Sequence, residues 1–217
     1  VVEQAEGLTE ELFEPGHREK AELIERGRAF KWIHLPPDEQ KLHQAKRRLK
    51  YDELFLMQAG LALRRYHIEL YCGAAAMQFS EEVDKRIRKR FPFLLTEDQD
   101  KVIDEIVGDM QRQVPMNRLL QGDVGSGKTV VALYAALVAV ANGKQVAIMA
   151  PTEVLAEQHY ISMERYLKGS RVKRQLITGG MTGLRRKETL ADVREGKIDI
   201  VVGTVALLQS DVEFADL

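Results

Sequence analysis

The stretch Gly122-Asp123-Val124-Gly125-Ser126-Gly127-Lys128-Thr129 decides the fold. It fits G-x-x-x-x-G-K-[ST], the phosphate-cradling loop of nucleoside triphosphatases. Gly122, Gly125 and Gly127 let the backbone turn sharply and approach a phosphate with no Cβ in the way. Successive N–H groups then face inward as an anion-binding nest. The helix that opens there adds the positive end of its dipole. Lys128 is placed to reach the β- and γ-phosphates, and the Thr129 hydroxyl to sit on Mg²⁺.

The flanks suit such a loop. Asn117–Gln121 has an apolar centre and is expected to be the strand that feeds it. Val130–Ala141 is long, apolar and free of Pro and Gly, as expected of a helix buried under a sheet. The alternation continues on both sides. Thr96 and Gln99 have the spacing of a capping box, predicting a helix over Glu97–Gln111. Asn142-Gly143 should close the buried helix through a left-handed cap. Strands are expected at Gln145–Ala150, Val172–Ile177 and Ile198–Val202, with helices at 153–167 and 183–195 between them. Apolar strands separated by helices make this an α/β fold with a parallel sheet covered on both faces. Ligands of such sheets lie beyond the carboxyl ends of the strands, where segments 121–129, 150–153, 178–180 and 203–205 fall.

Residues 1–90 read differently, as an all-helical region without a reaction motif. One or two short helices are expected before His34, with a loop at Glu14-Pro15-Gly16. Pro36-Pro37 ends the helix before it, and Asp38 is a suitable N-cap. A long amphipathic helix over 39–70 should turn Leu42, Ala45, Leu49, Leu54, Phe55, Leu61 and Tyr66 to one side. A small-residue stretch at Cys72-Gly73-Ala74-Ala75-Ala76 then leads into a charged helix.

Composition bounds the function. The 217 residues suffice for one large or two modest domains, and 45% hydrophobic content is ample for a core. No apolar run is long enough to span a bilayer, and the acidic start is no signal peptide. The lone Cys72 excludes an internal disulfide, which suits a reducing cytosol. His17, His34, His43, His67 and His159 lack zinc-ligand spacing. The net charge of −1 hides a gradient. Glu3, Glu6, Glu10, Glu11, Glu14, Glu19, Glu22 and Glu25 make the start acidic. Lys46-Arg47-Arg48, Lys50, Arg64-Arg65, Lys85-Arg86 and Arg88-Lys89-Arg90 make residues 41–90 basic. Such clusters either track a phosphate backbone or form a solvated helix face.

Several stretches together resemble the superfamily 2 helicase core, and more closely the RecG family of branched-DNA helicases. They are Phe91-Pro-Phe-Leu-Leu-Thr96-Glu-Asp-Gln99, Asp109-Met110, Pro115 through Thr129, and Ala150-Pro-Thr-Glu-Val-Leu-Ala-Glu-Gln158. Gly179-Gly180 and Val202-Gly203-Thr204-Val-Ala-Leu-Leu-Gln209 add to the likeness, as do His34-Leu-Pro-Pro37 and Ala45 through Phe55. The resemblance runs from about residue 30 to the end. It implies a RecA-like motor domain over 91–217, preceded by a helical linker over 1–90 that joins a wedge domain to the motor. It also implies ATP and Mg²⁺ as cofactors, and an ATP-dependent helicase or translocase acting on stalled forks and Holliday junctions. Branched DNA would be the partner, with single-strand binding protein as a further one. A monomer, cytoplasmic and associated with a bacterial nucleoid, is expected.

The resemblance implies roles for particular residues. Gln99 would contact the adenine edge, although the capping box claims the same side chain. Phe93 would stack on the base or pack in the core. Pro151, Thr152, Gln158, Gly179, Gly180, Gly203 and Thr204 would touch the DNA backbone, unless they only cap strand–helix turns. Val205 stands where the family usually has His, which removes a polar contact. The acidic Asp-Glu motif, the second motor lobe with its arginine finger, and the wedge domain are not present. Val1 is not an initiator, so an internal piece, inactive by itself, is expected. Transcription-repair coupling factor has a similar motor with a Gly-Phe-Gly-Lys-Thr type loop, and the His34–Phe55 region argues against it. A nucleotide-gated DNA-binding module without strand separation is a further alternative. A small-molecule kinase would need acceptor and lid residues that the sequence does not offer.

Overall fold

The computed structural model describes Gly7, residues 9–181 and residues 183–217. Glu3 and Glu6 of the acidic run lie outside the described residues. The chain forms two compact units, Val1–Tyr71 and Cys72–Leu217.

The first unit contains helices α1 (Pro15–Lys20), α2 (Arg26–His34) and α3 (Glu39–Tyr71). The expected loop at Glu14-Pro15-Gly16 is instead the start of α1, with Glu14 as N-cap and Pro15 in the first turn. Proline suits that position because its fixed φ is already helical and its missing N–H has no intrahelical acceptor there. Asp38 caps α3 as expected, its carboxylate accepting from the Lys41 N–H at 2.7 Å. The α3 stripe is buried only in part. Ala45 is buried, and Phe13 packs against Tyr51 and Phe55 with ring centroids 5.5 and 4.8 Å away. Leu54, Leu61 and Tyr66 remain exposed.

Arg48 corrects the reading of the basic cluster. Its side chain is 0% exposed, and it is bonded inside the unit rather than offered to a phosphate backbone. Its Nε donates to Asp52 at 2.7 Å and one terminal nitrogen to the Ile24 carbonyl at 2.7 Å. The guanidinium also bonds the Glu11 carboxylate and lies 5.0 Å over the Phe13 ring. Arg26 approaches the other Asp52 oxygen at 3.3 Å. Helical spacing marks Arg48 only as a cation between Ala45 and Asp52, and the acidic start holds its counter-charge.

The second unit has α4 (Glu81–Arg88), α5 (Glu97–Met110), α6 (Lys128–Ala141), α7 (Glu153–Tyr166) and α8 (Gly183–Arg194). Its strands are β1 (Val146–Met149), β2 (Arg174–Ile177) and β3 (Ile200–Gly203). They form a parallel sheet in the order β1-β3-β2. One face, through Ile200 and Val202, packs on Val130, Leu133, Leu137 and Val138 of α6 and on Ala156 and Met163 of α7. The other face joins Val201 and Ile177 to Val193 of α8 and to Leu207 in the 3₁₀ turn Val205–Leu208. That cover does not extend over β1, where Ala147 and Met149 stay exposed. The sheet is therefore covered on both faces at its centre, short of the full cover expected.

Asn117–Gln121 is not a strand. A strand exists only as one side of a ladder, and among the described residues none pairs with it. The segment is held by Arg118 instead, which bonds Asp109 of α5 at 2.8 Å and also Glu105. Helix α4, read from sequence with the helical region, packs on the α/β unit. Ile87 enters the core, Arg88 bridges Asp84 and Asp100 at 2.7 Å each, and Tyr134 of α6 donates to Asp84. Burial, then this bond to a carboxylate, raises the Tyr134 pKa. Gln145 is buried where the chain enters β1. Its amide donates to the Val193 and Ile198 carbonyls at 2.8 Å each and accepts from the Ala215 and Asp216 N–H groups.

Arg48→Ala strands a buried carboxylate and should cost about 3–5 kcal/mol in urea denaturation. Lys46→Ala, at an exposed position two residues away, should cost less than about 0.5 kcal/mol. Glu11 gives a pH signature. Burial raises its pKa, but bonds from Arg48 and from the N–H groups of Arg26 and Phe13 outweigh this and hold it at about 2, against an ordinary 4.5. A folded value below the unfolded one means stability that is full above about pH 4.5 and lost as pH falls toward 2. Glu11→Gln should flatten that acid limb of the melting temperature.

Candidate nucleotide and nucleic-acid site

The phosphate loop enters α6 through Gly127, which is the N-cap in the left-handed region at φ 85°, ψ 20°. Gly125 has the same φ of 85°. The left-handed φ favours glycine there, and a Cβ on Gly127 would stand 2.3 Å from Gln99 Nε2, so it would also push that amide out of its place. The Lys128 ammonium is folded onto its own loop, donating to the Gly122 and Asp123 carbonyls at 2.7 Å each. The Ser126 N–H donates to the Asp123 carbonyl at 3.2 Å, closing the turn. Val124 and Thr129 are exposed, with Thr129 on the first turn of α6.

Gln99 joins α5 to this loop. The capping box forms: the Thr96 N–H donates to Gln99 Oε1 at 3.0 Å and the Gln99 N–H to Thr96 Oγ1 at 3.3 Å. Gln99 Nε2 also donates to the Ser126 carbonyl at 2.9 Å. An amide has two N–H donors and two lone pairs, so one of each remains for a ligand edge. The capping and ligand-contacting readings are therefore compatible in one side chain. Phe93 belongs to an aromatic group, stacked 5.9 Å from Phe91 and edge-on to Tyr166 at 6.1 Å.

The strand register brings three further loops to one level. Met149 and Ile177 both pair with Gly203, so Pro151-Thr152, Gly179-Gly180 and Thr204 leave the sheet along the same carboxyl edge. The residues there differ in what they offer. Thr152 caps α7, accepting from the Leu155 N–H at 3.3 Å, and Thr204 accepts from the Ala206 N–H at 3.4 Å. Gly203 is buried, and a Cβ there would meet the Ile177 carbonyl at 2.4 Å. Pro151, Thr152, Gly179, Gly180 and Val205 are exposed. Gln158 is exposed too, about 9 Å farther along α7 from Thr152 by helical rise.

Two residues not singled out from the sequence hold segments of the site in place: Glu153 at this edge, and Arg118 before the phosphate loop. Glu153, at the start of α7, accepts the Gly179 N–H at 2.9 Å and so fixes one loop against another. Its position in the first helical turn is the sequence signal, since a carboxylate there favours nearby N–H groups. Arg118 carries no such signal, because its partners lie nine and thirteen residues away in the chain.

The profile of the DEAD/DEAH box helicase family matches residues 96–216. The "ATP-dependent DNA helicase RecG" of Synechocystis sp. is 42% identical over 200 residues, 92% of this chain and 24% of that protein. The protein of the same description from Aquifex aeolicus is 46% identical over 79% of this chain and 22% of its own length. A solved structure of RecG bound to a three-way DNA junction superposes with a TM-score of 0.82 at 37% identity, over 96% of this chain and 28% of that one. The chain thus spans about a quarter of the length of the relatives it matches.

Gly127→Ala should weaken nucleotide binding more than Gly125→Ala. Both meet the left-handed penalty of about 1–2 kcal/mol, but only at 127 does the new Cβ displace Gln99, while at 125 it meets open space. Titration with a fluorescent ATP analogue reads the difference.

Proposed function

Since the chain belongs to the DEAD/DEAH box helicase family, we propose that it is the nucleotide-cradling part of an ATP-dependent DNA helicase of the RecG kind, acting on branched DNA. The observation that carries this is the likeness over 96% of the chain to RecG on a three-way junction, with the phosphate loop intact in both sequence and backbone. Stalled forks to be reversed and Holliday junctions to be migrated are the substrates of this reading. Single-strand binding protein is a partner in it, and the working form is a monomer at the bacterial nucleoid.

The residues present fit a nucleoside triphosphate. The two left-handed glycines turn the loop, and a side chain on Gly127 would collide with Gln99. Loop N–H groups and the first turn of α6 hold the phosphates. Lys128 exchanges its two carbonyl partners for phosphate oxygens, and the Thr129 hydroxyl contributes to holding Mg²⁺. The free N–H and lone pair of Gln99 read the adenine edge. Bound ATP with Mg²⁺ supplies the phosphoryl group whose transfer to water drives the motor. Pro151, Thr152, Gly179 and Gly180 hold the DNA backbone at the carboxyl edge, with Gln158 farther along α7. Gly203 and Thr204 shape the floor of that edge from within.

Among the described residues no cluster of His, Cys, Asp or Glu that could hold a metal is formed. The 217-residue chain by itself is expected to turn over essentially no ATP, and steady-state hydrolysis that Lys128→Ala abolishes would contradict this. In the intact protein, branched DNA should stimulate ATPase more than linear duplex of the same length. Lys128→Ala should lower kcat by on the order of 10²–10³-fold. Equal stimulation by both DNAs would remove the branched-DNA reading while leaving the ATPase standing.

A further inference from the structure

The cluster Lys85-Arg86 and Arg88-Lys89-Arg90 is only partly explained by the fold. Lys85 pairs with Glu81, and Arg88 with Asp84 and Asp100. Arg86 and Arg90 instead converge with Arg171, which lies beyond the end of α7, on a cavity of about 410 Å³. None of these three arginines has a carboxylate partner among the described residues. The floor between them is apolar, made chiefly by Ile87 of α4 and by Leu137 and Val140 of α6. The carboxyl ends of α4 and α6 lie at this cavity, and their negative dipole ends let three cations gather without a counter-ion.

The place of the cavity in the fold narrows the partner. Helix α6 leaves the phosphate loop at Lys128 and reaches the cavity at its far end, about 20 Å away by helical rise. Val172, also in the wall, precedes β2, so the cavity borders the amino edge of the sheet. The proposed DNA contacts lie on the carboxyl edge. A nucleic acid would satisfy the guanidiniums with its phosphates, but its bases stack on aromatic rings and the lining of this cavity has none. A peptide with a large apolar side chain flanked by carboxylates satisfies both parts. Arginine suits that role because its planar fork bonds carboxylates bidentately.

The geometry points to a docking site for an acidic peptide segment of a partner protein, seated with one apolar side chain in the Arg86–Arg90–Arg171 cavity. This goes beyond the ATPase and DNA roles, since none of the three arginines is placed in either. The volume falls within the range of small-ligand pockets, enough for a side-chain anchor and too little for a folded domain.

The test uses the intact protein and a fluorescein-labelled peptide carrying a Leu-Phe pair between aspartates. Fluorescence anisotropy should show saturable binding that weakens with salt. Arg86→Glu and Arg171→Glu should each weaken it about tenfold or more, about 1.4 kcal/mol. Replacing the Leu-Phe pair by Ala-Ala should weaken it similarly. DNA-independent ATPase should not change, because neither arginine lies at the phosphate loop. The melting temperature should fall only slightly, because both side chains are exposed and an anion at these helix ends costs little stability. Absence of peptide binding, or binding unaffected by the reversals, overturns the proposal. So does a reversal that weakens binding of a single-stranded oligonucleotide and leaves the peptide unaffected. Loss of branched-DNA stimulation alone bears only on the proposed helicase function.

Discussion

Among the described residues, both strand pairs of the sheet include Ile200–Gly203: β1 and β2 do not pair with each other, and each pairs with β3. All four β3 residues are buried, so the strand has no solvent face to relax toward. The core on one side and the smaller cluster on the other meet at Val202 and Val201, one residue apart. Gly203 completes the constraint, since the Ile177 carbonyl passes where its Cβ would be. That close passage sets the level of the three loops at the carboxyl edge. The candidate nucleic-acid surface is thus a consequence of strand register, and its loops need little structure of their own.

The nucleotide loop depends on different contacts. It is reached from α5 through Gln99 and Ser126, and its incoming segment is tied to the same helix by Arg118. Helix α5 in turn is linked to α4 and α6 through Asp100, Arg88, Asp84 and Tyr134. Shifts of α4 would therefore reach the loop through polar contacts spread over four segments. Most of these bonds sit near the surface, where a single ion pair contributes little. Their value lies in fixing orientation together.

Much of this was legible in the sequence because it is local. The capping box, the Asn142-Gly143 closure, the glycine loop and the buried run of α6 each depend on residues within a turn or two of one another. The misreadings were non-local. Asn117–Gln121 has the composition of a strand, but strandness depends on a neighbour that no local pattern supplies. Pro15 can break a helix or begin one, and only the helical course of residues 16–20 decides between them. Arg48 looks like its neighbours Lys46 and Arg47, and only the distant Glu11 and the adjacent turn's Asp52 make it a core residue. The late part of α3 has the right period for burial, yet periodicity cannot state where a packing partner stops. At the site, residue types were readable and their competing uses were not. Thr152 and Thr204 spend their hydroxyls on caps, and Gly203 serves packing.

Lys128 is an internal ligand of its own loop. Its long stem would otherwise sample many rotamers, and ordering such a chain costs up to about 2 kcal/mol. With the ammonium seated on two carbonyl oxygens, that cost is met when the loop folds rather than when a nucleotide arrives. In the proposed function, phosphate capture would then be a partner exchange at a side chain already in place. An ammonium turns its three donors freely onto the two carbonyls, whereas a guanidinium holds its donors in a larger, fixed plane, so arginine here would not keep the same seat unchanged.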